Sequence, residues 1–573
     1  MRKTASTLAW LVLTFSLISH SSPARAGASK LPVRAPRGMV VSSHQMASRI
    51  GVKILKEGGN AVDAAIATGL ALAVVLPSAG NIGGGGFMVV RPADGRVTAF
   101  DFREIAPAAS HVGMFLDDRG DYARPLNHEG YLAVGVPGTI AGFFLAHERL
   151  GRLPMERLIE PAIELARDGV SVTWKLHNDM RRYTEEFLKY PATARIFLKN
   201  GKVPYQPGEI WKQPLLAATL ERLRAKGRDG FYRGETARLI AKAMREHGGL
   251  ITEEDLARYQ AKERRPVEGT YRGYEIYSMP PPSSGGVALI EMLNILEGFN
   301  LRKTGFGSAQ HLHLLAEAMR RAFADRARYL GDPDFNPDMP MNRLISKEHS
   351  RNLRRDISLN RASVSDPALF NAPVEPDETT HFSVIDSDGT AVVVTYTLEQ
   401  GYGSKIVAGG TGFLLNNEMG DFNPQPGRTD SKGFIGTPPN LVAPGKRMLS
   451  SMTPTLVLNQ GRPWLLIGSP GGRTIINTVL QVIVNVIDFQ MDISEAIAAP
   501  RIHHQWLPDV LRIEKFGISE DTLRLLQMFG HRIEISDSSR SQGRAMGIMV
   551  DPETGQLQGA ADPRAEDGAA VGY

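Results

Sequence analysis

A strand–turn–strand pattern two-thirds of the way along the chain limits its fold most tightly. Thr380–Asp386 alternates, Asp388-Gly389 is a turn signal, and Thr390–Leu398 returns. The pattern predicts an antiparallel β-hairpin. A two-residue loop pairs Thr380 with Thr397 and Thr379 with Leu398. A three-residue loop pairs Thr379 with Thr397. In either register Thr397 lies at or beside the cross-strand neighbour of Thr379, about 5 Å away at Cβ if directly opposite.

The residues that open this hairpin, Glu378-Thr379-Thr380-His381-Phe382-Ser383, carry two readings. A threonine at a strand start is ordinarily structural. A cut between Glu378 and Thr379 would instead make Thr379 an N-terminus, with its hydroxyl as nucleophile and its freed α-amine as base. The preceding stretch, 351–378, is polar and proline-rich and reads as an exposed, mobile segment.

Composition narrows the class. The chain has 573 residues, 42% of them hydrophobic, enough for a large core. Its 58 glycines and 36 prolines suit a loop-rich α/β or α+β globular protein. Cysteine is absent, which excludes disulfides, thiol catalysis and cysteine metal ligands. Residues 1–26 read as a secretory signal peptide. Arg2 and Lys3 are basic, Leu8–Ile18 is apolar, and Ala24-Arg25-Ala26 is a cleavage site. The expected location is therefore periplasmic or secreted. Without that leader, Lys+Arg falls from 66 to 63 against 61 Asp+Glu, a balance of +2. No dense basic stripe with interleaved aromatics is present, so nucleic acid is not an expected partner.

Ser43–Val75 reads as helical, and Gly83–Gly86 then demands close backbone approach or unusual dihedrals. Met88–Arg91 and Val97–Phe102 read as a hairpin. Residues 137–350 read as mainly helical, with Thr252 as an N-cap, a helix opening at Pro280–Gly286 and a strongly periodic run at Gln310–Leu330. The clusters Lys262–Arg265 and Arg320–Arg328 read as solvated faces. His381, His503 and His504 lack the carboxylate spacing of a metal site and read as structural; no metal is expected. Asp386-Ser387-Asp388-Gly389 holds only half the ligands of a calcium loop.

Several further motifs share an order and spacing along the chain: Gly58–Ala65, Asp101-Phe102-Arg103-Glu104, Thr379-Thr380-His381, Asn416–Phe422, Leu449–Pro454, Gly468–Arg473 and His503–Pro508. On these residues the sequence resembles the γ-glutamyltranspeptidase (glutathione hydrolase) family of N-terminal nucleophile hydrolases over nearly the whole mature chain. The resemblance implies an α+β fold, a four-layer αββα sandwich. It implies a large subunit (27–378) and a small subunit (379–573) that form a heterodimer after autocatalytic cleavage. Thr379 matches the nucleophile, Thr397 the threonine that holds it, and Gly471 and Gly472 the oxyanion donors. Arg103, Ser450 and Ser451 match the α-carboxylate grip. Glu418 and Asp421 match the acids that hold the α-ammonium, which with Arg103 makes a zwitterion clamp. The implied substrates are glutathione and other γ-glutamyl compounds, with water or amino acid and peptide amines as acceptors, and no cofactor.

Two positions depart from the family pattern. Glu399 stands where asparagine is common, placing a third acid beside the ammonium site. In the loop Asn423–Gly436, Lys432 replaces the gating aromatic of some members, with Phe434 nearby. Two other readings are an acylase of the same fold, acting on glutaryl, cephalosporin or poly-γ-glutamate substrates, and an unprocessed binding paralogue.

Overall fold

The computed structural model describes residues 30–366, 379–428, 436–536 and 542–573. The expected leader, Glu378, Lys432 and Phe434 lie outside the described residues. Among the described residues, fourteen strands form two antiparallel sheets of seven. In chain order they are β1 (Val33–Ala35), β2 (Met39–Ser42), β3 (Gly85–Arg91), β4 (Thr98–Phe102), β5 (Lys262–Arg264), β6 (Val267–Tyr271), β7 (Tyr274–Ser278), β8 (Thr380–Ile385), β9 (Ala391–Thr397), β10 (Thr455–Asn459), β11 (Arg462–Gly468), β12 (Met546–Val550), β13 (Leu557–Ala561) and β14 (Ala569–Gly572). The front sheet runs β14-β2-β8-β9-β3-β4-β5, and the back sheet β1-β13-β12-β11-β10-β7-β6.

Strand side chains alternate between faces, and here both faces are buried. Val40, Met88, Val90, Val384, Val392 and Val394 join the helical core on the outside of the front sheet. Their neighbours Met39, Val41, Phe87, Val89, Ile385 and Val393 pack between the sheets against Leu456, Leu466, Met546 and Ile548. Helices α1 (Gln45–Lys56) and α2 (Ala61–Val75) cover the front sheet. Asn60 caps α2 in a reciprocal box with Asp63, which is why the helical run from Ser43 breaks at Gly58-Gly59. Helices α3 (Gly285–Leu296) and α6 (Thr474–Phe489) cover the back sheet, and α4 (Ala309–Tyr329) and α5 (Lys347–Arg354) pack on α3. The order is helix, sheet, sheet, helix: the expected four-layer sandwich.

The central hairpin takes the three-residue loop. Asp386 N–H donates to Thr390 O at 3.1 Å, Thr380 pairs with Tyr396, and Gly389 sits at φ +82°.

Three sequence readings are corrected. Residues 262–278 supply strands β5 to β7 inside the helical region. Arg264 is not a solvated charge, because its Nε donates to Asp101 at 2.7 Å and its Nη2 to Asp334 at 2.8 Å. Arg320 and Arg326 are buried, facing acids and hydroxyls supplied from distant segments. The described part of 351–378 is tethered: Ser363 N–H donates to Glu317 at 3.1 Å and Ser365 N–H to Asp509 at 2.8 Å. Residues 367–378 lie outside the described residues.

Candidate active site

Four neighbouring strands bring the predicted residues into one row. Thr397 of β9 pairs with Gly85 of β3, and Gly86 pairs with Phe102 of β4. Extending each register by one residue aligns Thr379, Thr397, Gly85 and Arg103. Directly opposed residues of antiparallel strands point to the same face. Two residues further in, His381 Nδ1 and Thr395 Oγ1 lie 2.7 Å apart on that face. The His381 ring packs on Gly468 of β11, where a Cβ would fall 2.2 Å from the ring. The row therefore faces the other sheet at the edge of the sandwich. From Thr379 to Arg103 it covers three strand spacings, about 14 Å. Gly85 keeps its middle low, since a Cβ there would sit 2.6 Å from Glu104 Oε2.

Thr379 is buried at the head of β8. Thr397 is fixed from two sides. Its Oγ1 accepts the Glu399 N–H at 2.9 Å, and its carbonyl accepts Asn81 Nδ2 at 2.9 Å. Asn81 Oδ1 in turn accepts the Gly84 N–H at 3.0 Å and the Thr139 hydroxyl at 2.8 Å.

Gly471 and Gly472, at φ +131° and +53°, form the turn from β11 into α6. The Gly471 carbonyl is used, accepting the Thr474 N–H at 3.0 Å and its hydroxyl at 2.6 Å. Neither glycine N–H donates to another described residue. Two unused donors at the N-terminus of a 16-residue helix suit a developing oxyanion. Because Gly468 lies against His381, this turn follows directly from the point where β11 meets β8.

At the other end of the row, Glu418 and Asp421 sit on one 3₁₀ turn, Glu418–Asp421. Both reach Arg103. Glu418 Oε2 lies 2.5 Å from Nη1, and Asp421 Oδ2 accepts from Nη2. Glu104 Oε2 lies 3.6 Å from Nη1. The two charge types expected to hold opposite ends of one ligand are thus paired with each other. Binding a zwitterion requires them to exchange partners. Burial works against the Arg103 charge, but Glu418, Asp421 and Glu104 outweigh it and hold its pKa above the usual value. Burial raises the Glu418 carboxyl well above the carboxylate range despite Arg103, and pushes Glu104 up to about 8.

Ser450 and Ser451 follow Met448, whose carbonyl accepts Arg103 Nε at 3.3 Å. Ser450 Oγ accepts the Met452 N–H at 3.1 Å, and Ser451 Oγ accepts Arg326 Nη2 at 3.0 Å. Glu399, at φ +82°, is buried. Its carboxylate makes no hydrogen bond among the described residues, and His128 Nδ1 lies 3.5 Å from it. His503 and His504 are satisfied by Asn477 at 2.7 Å and Asp509 at 3.1 Å, as structural histidines are.

Sequence reasoning missed Glu104, Asn81 and His128. Glu104 adjoins Arg103 in the same motif, so its place was available as a signal. His128 comes from a short helix, Pro125–His128, and carried none.

The layered antiparallel double sheet defines the class: an N-terminal nucleophile hydrolase fold. A family model described as Gamma-glutamyltranspeptidase matches residues 47–572. A glutathione hydrolase proenzyme of Escherichia coli (strain K12) is 49% identical, covering 95% of this chain and 93% of that protein. The crystal structure of a cephalosporin acylase from Bacillus halodurans superposes with a TM-score of 0.84 at 28% identity, covering 98% of this chain and 99% of that one. A Helicobacter pylori gamma-glutamyltranspeptidase structure gives 0.56 at 45% identity, covering 60% of this chain and 95% of that one. The chain belongs to the γ-glutamyltranspeptidase family.

Proposed function

We propose that this chain is a γ-glutamyl hydrolase and transpeptidase acting on glutathione and related γ-glutamyl compounds. The precursor is cut between Glu378 and Thr379 into a large subunit (27–378) and a small subunit (379–573). The observation that carries this reading is the row of Thr379, Thr397, Gly85 and Arg103 across β8, β9, β3 and β4. An extended arginine and a glutamyl chain, laid end to end, bridge its length.

The freed α-amine of Thr379, with a reference pKa of about 7.7–8.0, takes the proton of its own hydroxyl. The hydroxyl attacks the γ-carbonyl, and the Gly471 and Gly472 amides receive the oxyanion. The amine then protonates the leaving nitrogen, leaving a γ-glutamyl ester on Thr379. Water or an acceptor amine attacks that ester and regenerates the enzyme. Thr397 holds the nucleophile. Arg103, Ser450 and Ser451 take the substrate α-carboxylate, while Glu418, Asp421 and Glu399 take its ammonium. The leader reading supports export to the periplasm or beyond.

Intact mass and N-terminal sequencing of the purified protein test the cut. Two chains, the smaller starting at Thr379, are expected; a single chain starting near Gly27 overturns the mechanism.

A second reading, a glutaryl or cephalosporin acylase, is favoured by the likeness to the Bacillus halodurans acylase. A glutaryl group carries no ammonium, which leaves Glu418 and Asp421 without a partner on the substrate. Faster cleavage of glutaryl- than of γ-glutamyl-p-nitroanilide would reverse this preference.

A further inference from the structure

Outside the candidate active site, three helices each bring one metal-ligating side chain to a common point on the outer face of the back sheet. Glu291 comes from α3, Asp325 from α4 and His349 from α5. One donor atom from each lies within 4.8 Å of the other two. His349 Nε2 is 2.6 Å from Asp325 Oδ2, and Ser346 Oγ holds the first turn of α5 by accepting the His349 N–H at 3.1 Å.

The histidine–aspartate pair by itself is satisfied. Glu291 is only half satisfied: it is 1% exposed, its carboxyl meets Asp325, and its Oε1 has no hydrogen-bond partner. Two carboxylates side by side in a mostly dry pocket repel, and burial adds a desolvation penalty. Among the described residues, Arg343 also faces the trio, its Nη1 3.5 Å from His349 Nδ1. Arg343 is exposed and stacks over the ring of Tyr329 at 4.8 Å; its charge offsets only part of the burial of Glu291.

We propose that Glu291, Asp325 and His349 bind a divalent transition-metal ion of the zinc, cobalt or manganese class. An imidazole beside two carboxylates selects such ions over calcium or magnesium, which take oxygen ligands. Donors around tetrahedral zinc stand about 3.3 Å apart, given bond lengths near 2.0–2.1 Å. The His349–Asp325 contact at 2.6 Å is shorter than this and all three donors lie within 4.8 Å, so binding needs side-chain adjustment that opens that contact. The Asp325 and His349 side chains are 16% and 12% exposed, which leaves a side open for water ligands and for entry of the ion. The ion clamps α3, α4 and α5 together. Asp325 is followed by Arg326, which bonds Ser284 Oγ at 2.8 Å and Ser451 Oγ at 3.0 Å. The clamp therefore braces the residue behind Ser451 without touching the reacting groups.

The purified protein in its processed two-chain form, stripped with EDTA and dialysed against zinc, should retain about one zinc per large subunit by elemental analysis. Zinc should raise its melting temperature by about 2 °C or more, and cobalt should give a visible ligand-field band. Glu291→Gln and His349→Asn, each folded by circular dichroism, should lose the bound zinc, the melting shift and the band. Zinc below a tenth of an equivalent in the wild-type protein, or full retention in either variant, overturns the proposal. Should one variant fail to fold, the other together with the zinc-edge anomalous signal of a soaked crystal decides. A peak among the three side chains supports the site, and a peak elsewhere overturns it.

Discussion

The two ends of the central hairpin bury acids in opposite ways. At the turn, Asp386 is buried and its oxygens are satisfied. Oδ1 accepts the N–H groups of Asp388 at 3.0 Å and Thr390 at 2.9 Å, and Oδ2 accepts that of Ala61 at 2.9 Å. At the open end, Glu104 and Glu399 are equally buried, yet all four carboxylate oxygens make no hydrogen bond among the described residues. Buried arginines divide likewise. Arg501 donates to the carbonyls of Ile497, Gln542 and Gly543 as well as to Asp562. Arg103 donates to one carbonyl and otherwise meets carboxylates. Backbone partners cannot be exchanged for a ligand; side-chain ions can. A buried group left for another molecule to satisfy marks a site, whereas one satisfied by backbone marks a strut.

The largest effect expected from this contrast is at Thr379. Thr379→Ala should abolish both cutting and turnover, the latter by on the order of 10³-fold or more. A fully cut Thr379→Ala protein, seen on a denaturing gel, would sink the assignment.

Next comes the arginine pair. Arg103→Lys should lower kcat/KM for a γ-glutamyl anilide about 10²-fold, equivalent to about 2.7 kcal/mol, while melting near the wild type. Arg501→Lys should do the reverse, costing about 2–3 kcal/mol of stability with KM unchanged. If both variants lose stability alike, the comparison fails.

Asp386→Asn should cost about 1–2 kcal/mol in denaturant melts and leave kcat/KM untouched. A change in KM there would show that the turn end also serves the substrate.

The smallest effect is one of slope. Glu104 is raised from 4.5 to about 8 by burial, so the folded protein holds a proton that the unfolded chain has released. Its contribution is fully present below about pH 4.5 and is lost as pH rises through about 8. Glu104→Gln should flatten that loss when stability is measured at pH 5 and pH 8.5. An unchanged slope would mean that Glu104 is ionised beside Arg103.

The sequence carried much of the site because its signals are local. The hairpin period, the turn residues and the spacing of Glu418 and Asp421 each lie within a few positions. What it withheld depends on partners far along the chain. Arg264, Arg320 and Arg326 look like solvated charge, and distant partners such as Asp101 and Asp334, Ser365 and Asp509, and Ser284 and Ser451 help make them interior. Strands β1 and β2, with three and four residues, are too short for any periodicity to announce them. Their pairing with β13, β14 and β8 is set by the packed sandwich.

Those pairings also bear on time. Each sheet draws strands from both sides of the proposed cut, so neither segment has a complete sheet of its own. Folding must come before scission, and the cut then erases the route by which the fold was reached. A severed molecule that melts releases two chains, whose reunion depends on their concentration and no longer benefits from the covalent link. The endurance of such a severed molecule is thus a matter of how slowly it opens, and each molecule has one chance to be made correctly.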